Sequence, residues 1–322
     1  MTRTSSIGPW LRAGRIEELV ERKVSVDTEF ETALPVYIVG DSHSLPYKNM
    51  VFREKWTGAW VMAHTKYIPG ITAKDFYNPW TGEFHPDFIA FLEYEGLVRN
   101  ARATHLSMDE VDFSIAKAVG QAVRPPLIML TIGEIDVRGP ILQLLKDSHD
   151  FVPPFPTPLP VLDKPLVPWD IIDEAIEARL RPFVAGIDHL VRAGFKRVYV
   201  QSIVPPSRQE ERVRTLQSYE CPVTVRTKLV QAYNWKLGAK LRSLDLVMID
   251  RWDDLTEGGL VRPEFDFDGV HVPPKGARLL LEALIDDAID SRGLVANHSR
   301  YELYYQMACG LNPFQAAKPS AT

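Results

Sequence analysis

Two short segments hold the residue types that acyl chemistry needs. The first, Val36-Tyr-Ile-Val-Gly-Asp-Ser-His-Ser44, is an apolar run that breaks at Gly40 and presents Asp41, Ser42 and His43. The second, Asp266-Phe-Asp-Gly-Val-His271, sets an acid, Asp268, three residues before His271. A serine hydroxyl is a weak nucleophile until a base takes its proton, and that base works best when an acid orients it. Ser42, His271 and Asp268 supply those three roles. A third segment, Gly133-Glu134-Ile135-Asp136 with Arg138 close behind, adds carboxylates and a guanidinium.

The elements around these segments predict how they meet. Residues 35–41 are apolar and β-branched between Pro35 and Gly40, which suits a buried parallel strand. A helix is expected within 48–64 and a short strand from Tyr67 to Thr72. Residues 74–106 read as irregular and aromatic. Ser107 with Glu110 forms a capping box that opens a helix to about Val123. Leu127 to Ile132 is the next strand. The proline-dense stretch from Phe151 to Trp169 is an extended loop, of a length that is usually functional or mobile. Asp170 to Arg192 carries a helical stripe of Ile171, Ile172, Ala175, Ile176, Leu180, Phe183 and Ile187. Strand Arg197–Val204, helix Thr224–Leu244, strand Leu246–Asp250 and helix Pro273–Arg292 follow.

Strands alternating with long helices predict a three-layer α/β/α sandwich on a five-stranded parallel sheet. The expected organisation is an N-terminal extension over 1–34 and a domain over 35–295 with insertions near 74–106 and 147–169. A C-terminal helical piece and tail occupy 296–322. Arg12 to Arg22 reads as an amphipathic helix of the extension. Ligands collect beyond the carboxyl ends of such a sheet. Ser42, the 133–136 segment and the 268–271 loop all fall at such ends, so groups distant in sequence are expected to converge.

The order Ser, Asp, His also occurs in α/β-hydrolases, but those carry G-x-S-x-G. Here the serine lies in Gly-Asp-Ser-His-Ser, and acid and base share one loop. The chain instead resembles the SGNH (GDSL-like) hydrolase superfamily, which has a flavodoxin-like sheet. Gly40-Asp41-Ser42 matches its first block, and Asp268-Gly-Val-His271 its fifth. Ile68-Pro-Gly-Ile-Thr-Ala73 fits the second block best, and Gly133-Glu134-Ile135-Asp136 stands where the third is Gly-x-Asn-Asp. About twenty residues carry this resemblance, spread over roughly residues 35 to 290 in element order.

The resemblance implies Ser42 as nucleophile, His271 as base and Asp268 as its orienter, with the N–H groups of Ser42 and Gly70 holding the oxyanion. It implies a serine esterase or acyltransferase acting through an acyl-enzyme, with no metal or organic cofactor. The substrate would be an O-acylated sugar or small metabolite. Ile135 replaces an asparagine that donates to the oxyanion in the family, a loss typically worth ~10²–10³ in rate. His43 and Arg138 are candidate substitutes. A subset of SGNH-like proteins pairs Gly-Asp-Ser-His with Gly-Glu-Ile-Asp in the same way, so the pattern reads as a subfamily design.

Other readings compete. Asp41-x-His43 at a strand end is similar to the opening motif of dinuclear metallophosphoesterases, but no Gly-Asn-His or Gly-His-x-His segment accompanies it. A non-catalytic binding protein on the same scaffold is a third class. Ser42 could be a helix cap, Asp268 a turn residue, Gly70 a turn glycine, and Glu134 and Asp136 a structural pair. Arg138 could pair with Asp136. The aromatic run from Phe76 to Tyr94 reads as packing, and His64, His85, His105, His149, His189 and His298 as ordinary surface or core residues.

The 322 residues include 45% hydrophobic residues, enough for a large core. A net charge of -5 with no long basic stretch argues against nucleic acid as partner. Cys221 and Cys309 cannot build a disulfide framework, and no apolar run reaches the ~18 residues of a membrane span. A cytoplasmic protein without a membrane partner is the expectation; the oligomeric state is open.

Overall fold

The computed structural model describes residues 34–54, 60–98, 106, 126–145, 149–195, 197–216 and 221–290. The helices expected at 12–22, 107–123 and 301–307 lie outside them. The main sheet contains β1 (Leu34–Gly40), β2 (Val51–Arg53), β3 (Trp60–Tyr67), β4 (Leu127–Thr131), β5 (Val198–Gln201) and β6 (Met248–Ile249). Their order across the sheet is β2-β3-β1-β4-β5-β6. The last five in that order pair in parallel, and β2 pairs antiparallel with β3 at the edge. Counting only the parallel strands, the order is 2-1-3-4-5, the flavodoxin-like doubly wound arrangement. The fold is therefore the α/β sandwich expected from sequence, with one antiparallel edge strand added.

Both faces of the sheet are covered, which explains the unbroken apolar runs. Tyr37, Val39, Ile128, Leu130, Val198 and Val200 face one core. Val36, Ile38, Leu127, Met129 and Tyr199 face the other. Helices α1 (Pro86–Tyr94), α2 (Trp169–Arg192) and α4 (Val223–Ser243) pack on the first face, and α5 (Pro274–Asp290) on the second; α3 (Glu210–Leu216) lies between β5 and α4 in the chain. On α2 the stripe Ile172, Ile176, Leu180, Phe183 and Ile187 is fully buried, whereas Ile171 is exposed.

Two expected elements are corrected. The segment expected to hold a helix at 48–64 supplies β2 and most of β3 instead. Val61 and Ala63 alternate inward while Met62 and His64 are partly exposed, a period of two that suits a strand. The strand expected at Tyr67–Thr72 is absent, because β3 ends at Tyr67 and Pro69–Gly70 make a turn with Gly70 at φ +73°. The aromatic segment contains α1, and Phe76, Tyr77, Phe84, Phe88 and Phe91 are core residues.

The proline-dense loop has no regular element. It is clamped by a buried ion pair: Lys228 Nζ on α4 lies 2.6 Å from Asp150 Oδ1. The same ammonium donates to the carbonyls of Phe151 and Pro160, and Asp150 Oδ2 accepts from Leu162 N at 2.8 Å. None of the described helices is long and apolar enough to cross a membrane.

Candidate functional site

Gly40 is required where β1 ends. A Cβ there would stand 2.1 Å from Thr131 O and Oγ1 on β4. The close approach lets Asp41 N donate to Thr131 O, and the chain then turns into a 3₁₀ turn over Ser42–Tyr47. Asp41 caps this turn: its Oδ1 accepts from His43 N at 2.9 Å, and its carbonyl accepts from Ser44 Oγ at 2.8 Å. Ser44 is thereby committed to structure. Ser42 opens the turn and is partly exposed.

The loop before α5 builds a second unit. Asp268 Oδ1 accepts the backbone N–H groups of Val270 and His271 at 3.0 and 2.7 Å. Its Oδ2 lies 2.7 Å from His271 Nδ1. A carboxylate only accepts, so Nδ1 carries the proton and Nε2 holds a lone pair. That Nε2 is buried and has no hydrogen-bond partner. Burial raises the Asp268 pKa, but the ring, two amides and charge of this loop outweigh it and bring the carboxyl down to about 2. Asp268 thus fixes the turn and the imidazole together.

His43 joins the two units. Its ring packs against the His271 ring with centroids 5.0 Å apart. Its Nε2 is 3.1 Å from Val270 O and its Nδ1 is 3.2 Å from Asp41 Oδ1. Both partners are acceptors, which favours the protonated ring between them. Burial opposes that charge, yet the Asp41 hydrogen bond and charge, the Glu134 charge and the Val270 carbonyl raise the His43 pKa. With both ring nitrogens engaged, His43 has none free for an oxyanion.

The 133–136 segment follows β4. Gly133 adopts φ +130°, and a Cβ there would meet Tyr233 Oη at 2.8 Å. Glu134 pairs with Arg138, Nε to Oε1 at 2.7 Å, so Asp136 is not the arginine's partner. Asp136 is fully buried and its Oδ2 accepts from Ala73 N at 2.6 Å. It therefore ties the turn that carries Gly70 to the end of β4. Burial dominates its titration and pushes its pKa up to about 7, against the Ala73 amide and Arg179, with Asp75 and Asp41 adding to the rise.

Among the described residues, Asp41, His43 and Glu134 have ligand-type atoms all within 4.8 Å of one another. Asp41 Oδ2 and Glu134 Oε2 are buried without a partner. The imidazole between them already has both nitrogens engaged, so it would have to leave the Val270 carbonyl or Asp41 to ligate a cation.

A cleft opens beside the 268–271 loop. Gly269 and Val270 form one wall, Glu134, Val137 and Arg138 a second, and Ile203, Val204, Arg226 and Val230 the rest. The last group was not foreseen from sequence. These residues belong to the segment after β5 and to α4, and only the packing brings them to the site. His64 pairs with Glu95, His85 caps α1, and His189 bonds Leu106 O. All three are structural.

Fold and site together describe a doubly wound α/β protein with an oriented imidazole at the carboxyl ends of its strands. No protein-family model matches the chain, and no curated protein matches it. Among solved structures it is similar to a GDSL-like lipase from Bacteroides thetaiotaomicron, 14% identical over 88% of this chain and 98% of that one, with a TM-score of 0.38. It is also similar to a lipase/acylhydrolase from Enterococcus faecalis, 18% identical over 80% and 96%, with a TM-score of 0.35.

Proposed function

We propose that the protein is a serine-dependent ester hydrolase or acyltransferase of the SGNH type. One observation carries this reading. His271 gives Nδ1 to Asp268 and keeps Nε2 buried and unpartnered, while the ring beside it belongs to the residue after Ser42. In this mechanism Ser42 Oγ attacks the acyl carbon and its proton passes to His271 Nε2. The N–H groups of Ser42 and Gly70 face the developing oxyanion. The tetrahedral intermediate collapses as Nε2 returns the proton to the leaving alkoxide. Water, or an acceptor hydroxyl, then releases the acyl group from Ser42 by the same path.

With Ile135 in the place of a donor, and with both His43 ring nitrogens already engaged, the oxyanion relies on backbone amides in this mechanism. Esters with good leaving groups need the least oxyanion stabilisation and are the right probes. The full-length protein should hydrolyse short p-nitrophenyl esters, and Ser42→Ala or His271→Gln should lower kcat/KM by about 10⁴-fold or more. A fluorophosphonate should label Ser42, as read by peptide mass spectrometry. Equal turnover by wild type and Ser42→Ala ends the proposal. The substrate class of O-acylated sugar or small metabolite rests on the resemblance and belongs to the same proposal.

A metal-dependent phosphoesterase is the second reading, favoured by the unpartnered oxygens of Asp41 and Glu134. Dialysis against EDTA separates the two: a serine esterase keeps its activity, and a metal enzyme loses it and regains it with a divalent cation.

A further inference from the structure

Arg226 lies in the first turn of α4 and lines the cleft beside Gly269 and Val270. Its side chain is only 3% exposed. Nε donates to Cys221 O at 3.0 Å and Nη2 to Ser207 O at 3.1 Å. Glu210 Oε2 lies 3.8 Å from Nη2, beyond hydrogen-bond length, and Glu210 Oε1 accepts from Val223 N instead. Nη1 is buried and has no partner. A buried guanidinium hydrogen without an acceptor is costly to keep, more so than a neutral one. Two carbonyls hold the group in place, and its side chain lines the cleft.

Apart from Glu134 and Arg138 the cleft is apolar, with Val137, Leu142, Val204, Val230 and Val270. The one carboxylate in its lining, Glu134, pairs with Arg138 through Oε1, and its Oε2 lies by the Asp41 and His43 cluster instead. The cleft therefore presents methyl groups, then a guanidinium that lacks one acceptor. A hydrocarbon stem ending in a carboxylate satisfies both, because carboxylate oxygens are the preferred acceptors of a guanidinium fork.

We propose that the site takes esters carrying a carboxylate at the non-reacting end, which Arg226 Nη1 binds in the cleft beside the 268–271 loop. This deepens the hydrolase reading by naming the substrate class, and it rests on that reading for the reaction itself. Arg226 is a specificity residue here and takes no part in proton transfer.

The test separates binding from turnover. Full-length Ser42→Ala protein is titrated by calorimetry with the monomethyl esters of succinate, glutarate and adipate, and with the matching dimethyl esters. One of the acids should bind about tenfold or more tightly than its neutral partner, since hydrogen bonds to charged groups are the strong ones. Arg226→Gln should erase that ratio and Arg226→Lys should keep part of it, with circular dichroism reporting the fold. Should Arg226→Gln not fold, Arg226→Lys and the acid-to-diester ratio on the Ser42→Ala chain still decide. Equal binding of acid and diester at every length overturns the proposal, as does a ratio that Arg226→Gln leaves intact. Turnover of p-nitrophenyl hemiglutarate against p-nitrophenyl pentanoate by the Ser42 protein is the second readout. Failure to cleave either ester counts against the hydrolase reading alone, because the binding ratio stands apart from it.

Discussion

At the scale of single residues the chemistry turns on one tautomer. Asp268 receives Nδ1–H of His271, which leaves Nε2 free to act as the base in the proposed reaction. Asn at this position would keep the shape but can place its amide N–H against Nδ1, which puts the ring proton on Nε2 instead. Asp268→Asn should therefore lower ester turnover by about 10⁴-fold, the size of effect seen when a triad acid is replaced in this way. The same carboxylate links pH to stability. Its pKa falls from 3.8 to about 2 on folding, so its contribution is present above pH 4 and is lost as pH falls toward 2. Urea titrations should show that acid-side loss in the wild type and not in Asp268→Asn. The pairing of Asp268 with His271 was legible because a three-residue spacing on one loop lets the acid reach the ring. That His43 spans Asp41 and the Val270 carbonyl was not legible, since its partner lies 227 positions away in the chain.

At the scale of elements, two buried carboxylates fix loops by opposite means. Asp150 pairs with Lys228, both fully buried, and together they strap the proline-dense loop to α4. Lys228→Met leaves Asp150 charged and unpaired, and should cost about 3–5 kcal/mol in denaturant unfolding, far above a surface substitution. Asp136 has no such cation bonded to it and titrates near 7. Its folded pKa is raised, so the protein is most stable while the group is neutral and loses stability as pH climbs from about 4 through about 7. Asp136→Asn retains an acceptor for Ala73 N and removes the titration, so its stability should be flat across that window and exceed the wild type at pH 8. Helices α2, α4 and α5 were readable from their apolar stripes and proline boundaries, because a 3.6-residue period survives in one dimension. β2 and β3 were not readable. β2 is short, and β3 mixes Met62, His64 and Lys66 into its outward face, so propensity left helix and strand close, and pairing with β1 decided it.

At the scale of the whole molecule, the site exists because the chain leaves the sheet in opposite directions on either side of β1. The turn after β1 joins Tyr47 to the core beneath α5, and β4 leads into Val137, Ile141 and Leu142 on the other core. Between them the strand ends part, and Asp41, Glu134 and the 268–271 loop fill the crevice, as the topology of a doubly wound sheet demands. The hinge of this arrangement is the contact of Gly40 with Thr131. A methyl group at Gly40 would overlap Thr131 O and Oγ1 at 2.1 Å, a clash with backbone that no rotamer relieves. Gly40→Ala must push β1 from β4 at their carboxyl ends, breaking the Asp41 N to Thr131 O bond and displacing the turn that Ser42 opens. The expected outcome is a drop of several kcal/mol in unfolding free energy, in the range of about 1–3 kcal/mol for overpacking plus a lost buried bond of about 1 kcal/mol. A Gly40→Ala, Thr131→Ala pair should recover little, because the backbone carbonyl remains in the way. Denaturant midpoints of the two variants, with p-nitrophenyl ester turnover alongside, check this: a well-folded and active Gly40→Ala protein would mean that the strand ends have slack enough to admit a methyl group.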